Sequence, residues 1–229
     1  MNRTSISFDI RKENWNNRFL FPDIIYIDTC AIIDIFMQRE HGSLTEQYIH
    51  ELINRDGMIT WSQHTVNEII QFVHVDTYSK IAKKKNIKGN KTWKIAENIV
   101  SDEESRKAAE ITMNKVYRII EYLEQFGMKT DVDIAAPQCV ETLTTELYLR
   151  YGGNQYDARH VAIANISGVN NILTQDGGYL RYPSLNIFGA SKELVSNYNM
   201  NQSPNPYLDL TRSILHKEFR EELDRENAK

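Results

Sequence analysis

Cysteine is scarce in this sequence and long apolar runs are missing, and each shortage removes a class of protein. Only Cys30 and Cys139 occur in 229 residues, so at most one disulfide is available and a disulfide-stapled scaffold is excluded. Neither has metal-ligand company in the sequence, and both are expected to be buried thiols. No apolar stretch is long enough to span a bilayer, and the opening MNRTSISFDIRKENWNN lacks the apolar core of a signal peptide, so the expectation is a cytoplasmic chain without a membrane. A general excess of basic residues is absent as well: 27 lysines and arginines face 31 acids, a formal net charge of -4, which excludes an evenly basic nucleic-acid coat but leaves room for a local patch. Internal repeats and low-complexity segments are not found. What remains is 41% hydrophobic residues, enough for one sizeable core.

Short apolar runs alternate with helical patterns along the chain. Residues 1–22 are polar with scattered aromatics and read as an arm packed on the surface, closed by Pro22. Ile24 to Ile27 is nearly all apolar, as a strand buried on both faces must be, and Asp28 ends it. Thr29 to Met37, then Leu44 to Asn54, carry helical apolar spacing, and Met58 to Trp61 reads as a second strand. Ser62 or Thr65 caps a third helix, in which Thr65-Val66-Asn67-Glu68 fits a capping box with Glu68 bonded back to the cap. Glu103 to Phe126 is an amphipathic helix stopped by Gly127, Val132 to Ala135 reads as a third strand, and Pro137 starts a helix to about Arg150. Tyr156 to Gly178 then reads as a buried helix from Asp157, a strand from Asn171 to Thr174, and a turn at Asp176-Gly177-Gly178. Ser184 to Phe188 supplies a last strand, and a charged helix is expected over about 207–229. The alternation implies an α/β domain with a mainly parallel sheet of about five strands flanked by helices.

Between Tyr78 and Lys94 the composition shifts to seven lysines, with no acid from Asp76 to Glu97. A charge run is commonly a solvated face. Read functionally, Lys83, Lys84, Lys85, Lys88 and Lys91 attract phosphates, and Tyr78 and Trp93 stack on bases.

Four acids share one kind of place. Asp28 and Asp176 follow strands, Asp157 starts a helix, and Glu68 lies in the first turns of the helix after the second strand, so a parallel sheet would bring all four toward one edge. Gathered carboxylates repel one another unless a cation is bound or their pKa values rise. Carboxylates without histidine or cysteine suit Mg²⁺ or Mn²⁺, which activate water and offset charge on a phosphate.

The stretches IIYIDTCAIIDIF around Asp28, SQHTVNEII around Glu68, YDARHVAIANISG around Asp157 and NILTQDGGY around Asp176 together resemble PIN-domain ribonucleases, a family that includes toxins of bacterial toxin-antitoxin pairs. The resemblance covers about 22–190 of a single domain, with a helical insertion over about 78–130. It implies a Rossmann-like sheet, Asp28, Glu68, Asp157 and Asp176 as catalytic ligands of Mg²⁺ or Mn²⁺, Thr174 as a supporting hydroxyl, and endonucleolytic cleavage of RNA. It also implies, besides the RNA substrate, an antitoxin or other protein partner; a homodimer is left open.

Two features depart from the family. Cys30 stands where an asparagine is frequent, so a supporting hydrogen bond is expected to be weakened, and the gap from Glu68 to Asp157 is longer than in small toxins. Both favour an alternative, a PIN-like module that binds RNA or a protein without cutting. A phosphotransferase with Asp28 as nucleophile ranks lower, because Asp28-Thr29-Cys30-Ala31 lacks a second aspartate. His160, three residues after Asp157, is read as a packed or solvated histidine that would otherwise orient a ligand.

Overall fold

The structure is a computed structural model, and it describes residues 5–202. Six strands form one sheet, in which every pairing is parallel. In chain order the elements are β1 (Ile6–Asp9), β2 (Ile24–Ile27), α1 (Thr29–Phe36), α2 (Gly42–Asn54), β3 (Met58–Ser62), α3 (Gln63–Lys84), α4 (Thr92–Ile99) and α5 (Asp102–Glu124). They continue with β4 (Gly127–Thr130), α6 (Val132–Ala135), α7 (Pro137–Tyr151), α8 (Gln155–Ile166), β5 (Asn171–Leu173), β6 (Asn186–Gly189) and α9 (Lys192–Gln202). The expected α/β architecture is therefore present, with six strands rather than five.

Strand alternation divides the core. Ile25 and Ile27 face the layer of α1, α2, α3 and α5 together with Ile59 and Trp61, whereas Tyr26 faces the layer of α7, α8 and α9 with Ile172 and Ile187. The central strands are covered on both sides, which is why they read as apolar runs. The sheet order β1-β6-β5-β2-β3-β4 makes β2 a switch: the chain leaves it toward β3 on one side, and β5 lies on the other. Crevices at the carboxyl ends of strands at such a point are where open α/β sheets build sites.

The two edge strands were misread. The supposed surface arm contains β1, which pairs with β6 from Ile6↔Asn186 to Asp9↔Gly189. At the other edge the strand is Gly127–Thr130, not Val132 to Ala135, which forms the short helix α6 closed by Ile134 and Ala135 N–H bonds to the Asp131 carbonyl. An edge strand is half exposed, as Met128 at 60% shows, so it lacks the apolar signature of a central one. Gly127 is no helix stop: a Cβ there would run into the Ile59 carbonyl of β3, and the missing side chain lets β4 pair.

The segment over 78–130 thus ends in the sheet. Its helical part packs a small cluster of Tyr78, Ala82, Ala96 and Ala108 between α3, α4 and α5. The charged helix expected over about 207–229 lies outside the described residues. Among the described residues, no helix is long and apolar enough to cross a membrane.

Candidate functional site at the sheet switch

Asp28 follows β2, is 6% exposed, and caps α1 without a side-chain bond to the helix backbone. Its Oδ2 is engaged instead by side chains just past β5 and within α1, accepting from Thr174 Oγ1 at 2.8 Å and from Cys30 Sγ at 2.8 Å. Cys30 therefore supplies a hydrogen bond that the sequence led us to expect weakened, and its Sγ also stands 3.1 Å from Thr174 Oγ1. Burial first, then the Asp28 charge, pushes the Cys30 thiol well above its ordinary range, so it stays a protonated donor. The other thiol departs from expectation, because Cys139 is exposed.

Glu68 does not bond back to its helix cap. The capping box of α3 is closed by Ser62 and Thr65, which leaves Glu68 free to point across the strand ends. Its Oε2 accepts from Thr29 Oγ1 at 2.6 Å and stands 2.7 Å from His160 Nε2. Burial pushes this carboxyl up, but the bonds and charge of His160, with Thr29, outweigh burial and hold it at about 2.

His160 is the residue that sequence reasoning undervalued. At 1% exposure it lies under the acids: Nε2 faces Glu68 and, at 3.4 Å, Asp28 Oδ1, while Nδ1 meets the Tyr26 hydroxyl at 2.9 Å. Burial opposes its charge, yet Tyr26, Glu68 and Asp28 together raise its pKa well above the ordinary histidine value. One signal was available. A histidine in the otherwise small and apolar face of α8 must find polar partners, and Tyr26 is the sole polar tip in Ile-Ile-Tyr-Ile.

Asp157 lies in the first turn of α8 and is half-buried, and Asp176 caps the turn after β5 by accepting from Gly178 N–H at 2.7 Å. The two carboxylates flank Gly178: a Cβ there would stand 2.9 Å from Asp176 Oδ1 and 3.5 Å from Asp157 Oδ2. Thr174 Oγ1 also accepts from the Asp176 N–H at 3.0 Å, so one hydroxyl positions both Asp28 and Asp176. Burial, then the charges of Asp176, Asp28 and Glu68, push Asp157 up to about 7 against the counteracting His160. The helix dipole at its position favours the anion, so burial and the neighbouring acids together outweigh it.

Thr174 thus links Asp28 to Asp176, His160 links Asp28 to Glu68, and Asp157 lies near enough to Asp176, Asp28 and Glu68 for their charges to act on it, whereas among the described residues the donor atoms that gather within 4.8 Å of one another are those of His64, Glu68 and His160. Four carboxylates against one imidazolium leave an excess of negative charge that a divalent cation would largely offset, and oxygen donors of this kind suit Mg²⁺ or Mn²⁺. The lysines are elsewhere. Lys84 ends α3, sixteen residues beyond Glu68, roughly 24 Å along the helix at 1.5 Å per residue. Lys83, Lys84, Lys85, Lys88 and Lys91 are all exposed, with Lys85 paired to Glu104 at 2.8 Å. Trp93 is half-buried beside the small cluster, and Tyr78, at 4% exposure, is part of it and does not offer a face to a base.

No protein-family model and no curated protein matches the chain. Solved structures do match, among them VapBC2 from Rickettsia felis bound to a DNA fragment from their promoter, at 14% identity and a TM-score of 0.43. That match covers 72% of this chain and 98% of the other.

Proposed function

We propose that this chain is a metal-dependent endoribonuclease of the PIN-like type, with Asp28, Glu68, Asp157 and Asp176 as the ligands of Mg²⁺ or Mn²⁺. The observation that supports the reading is the approach of four carboxylates from the ends of β2 and β5 and from α3 and α8 to the switch point of a parallel sheet, with Asp157 raised to about 7 by burial and then by the charges of its neighbours. Natural proteins tolerate such repulsion where function requires it.

A bound cation would supply charge neutralisation at a phosphodiester and a more acidic water. The chain's own groups prepare the site. Thr174 and Cys30 fix Asp28, Thr29 and His160 fix Glu68, and Tyr26 holds the His160 ring from behind. Asp157 gives up its proton when the crevice becomes less negative. The lysines at the far end of α3 and in the following loop would hold RNA remote from the scissile bond, and a protein partner of the antitoxin kind or a second copy of the chain remains part of the proposal. The structure removes one argument for the non-cutting alternative, because the Cys30 thiol makes the bond its substitution was expected to weaken.

The test is cleavage of end-labelled RNA in Mn²⁺ by the purified chain and by Asp28→Asn and Asp157→Asn. Internal cuts by the unaltered chain, abolished in both variants with folding retained, are expected. Full cleavage by both variants would end the proposal, and RNA binding without cuts by the unaltered chain would favour the non-cutting module.

A further inference from the structure

Beside the four acids, two histidines present nitrogen donors to the same glutamate. His64 Nε2 is 3.9 Å from Glu68 Oε1, and among the described residues this buried nitrogen has no hydrogen-bond partner. The His64 residue is 8% exposed, and its ring stacks on the Tyr156 ring with the centroids 5.9 Å apart. His160 is tied at Nδ1 by the Tyr26 hydroxyl, and its Nε2 faces Glu68. One ligand atom each from His64, Glu68 and His160 lie within 4.8 Å of one another.

Histidines that bind metals are typically oriented by a bond at the second ring nitrogen, as His160 is by Tyr26, and the His64 ring is oriented by its stack on Tyr156. Both Glu68 oxygens face this histidine pair: Oε2 accepts from Thr29 and stands against His160, while Oε1 is turned to His64. A cleft of about 490 Å³ lined by His64, Glu68, Asn67 and Tyr156 gives an approach from solvent. Two imidazoles and one carboxylate, with a place left for water, form a donor set that selects Zn²⁺ over Mg²⁺.

We infer that His64, Glu68 and His160 form a second cation site, of the zinc-binding type, that shares Glu68 with the four-carboxylate crevice. Ligation by His160 displaces the proton that its Nε2 donates to Glu68. The sharing also links the sites, so Zn²⁺ held by the histidines draws Glu68 away from a cation among the aspartates. Only this linkage rests on the nuclease reading; zinc binding itself does not.

The experiment is titration of the full chain with Zn²⁺ against a chromophoric chelator, repeated with His64→Gln and with Asp176→Asn, each checked for folding by circular dichroism. Zinc binding weakened at least about tenfold by His64→Gln and unchanged by Asp176→Asn is expected. The reverse pattern, or equal affinity in all three proteins, overturns the inference. Should His64→Gln fail to fold, Co²⁺ added to the unaltered chain decides: intense visible bands of a low-coordinate site with nitrogen ligands support the inference, and a weak six-coordinate spectrum overturns it. Zinc bound through His64 by a chain that cuts no RNA would leave this site standing and the nuclease reading fallen.

Discussion

His160 Nε2 stands 2.7 Å from Glu68 Oε2, a bond that joins the middle of α8 to the second turn of α3 under the carboxyl end of β2. Removing the imidazole leaves Glu68 and Asp28 with uncompensated charge in a poorly solvated place. His160→Gln is therefore expected to lower stability by about 2–4 kcal/mol at pH 6 in urea melts. The pH dependence has a definite sign. The lowered Glu68 pKa contributes stability above its ordinary 4.5, lost as pH falls toward 2. The raised His160 pKa contributes stability below its ordinary 6.5, lost as pH rises through the raised value. The variant and the unaltered chain should thus differ most between those two ordinary values and converge in acid. A difference that grew below pH 4 would contradict the pairing.

Asp157 works in the opposite direction. Its folded-state pKa of about 7 lies above the ordinary 3.8, so the metal-free protein loses stability as pH rises from about 4 to about 7. Asp157→Asn removes that penalty, and with allowance for solvent screening of a half-exposed group the gain is about 1–2 kcal/mol at pH 8 and near zero at pH 4. Differential scanning fluorimetry without divalent metal reads this directly. Destabilisation of the variant at pH 8 would contradict the upward shift of Asp157.

Much of this site was legible because it is built where chain pattern and chemistry coincide. Ile24 to Ile27 reads as a central strand since both of its faces are covered, which fixes Asp28 at a strand end. Glu68 was less secure, since Thr65 and Glu68 carry the spacing of a capping box. In the folded chain Ser62 takes the cap, Thr65 closes the box, and the glutamate is freed. His160 was underrated because its partners, Tyr26 and Glu68, are 134 and 92 residues away in sequence. The edge strands β1 and β4 were missed for a different reason. Half-exposed strands need little apolar sequence, and their pairing depends on neighbours supplied by the rest of the fold.

Cys30 is expected to act as a hydrogen-bond donor rather than a reactive thiol. An alkylating reagent at neutral pH should modify exposed Cys139 quickly and Cys30 slowly, as peptide mass spectrometry of the modified chain would show. Cys30→Ala should weaken Mn²⁺ binding about tenfold by loosening Asp28, and Cys30→Asn, which keeps a donor, should weaken it less. Equal affinities in all three proteins would remove Cys30 from the site.

The lysines at the end of α3 lie far enough from the acids to be separated by experiment. Replacing Lys83, Lys84 and Lys88 by alanine is expected to reduce the slope of log affinity against log salt by about 2 for a long single-stranded RNA. A short oligonucleotide that fills only the crevice should show little change. An unchanged slope with long RNA would mark the lysines as a solvated face.

The claim on which the account turns is that four carboxylates from separate elements form one cation site, and anomalous diffraction from crystals of the full chain grown with Mn²⁺ tests it most directly. The account predicts anomalous density among Asp28, Asp157 and Asp176, on the Glu68 side of Gly178, and its loss in crystals of Asp157→Asn. Manganese at other positions with none among these acids would contradict it.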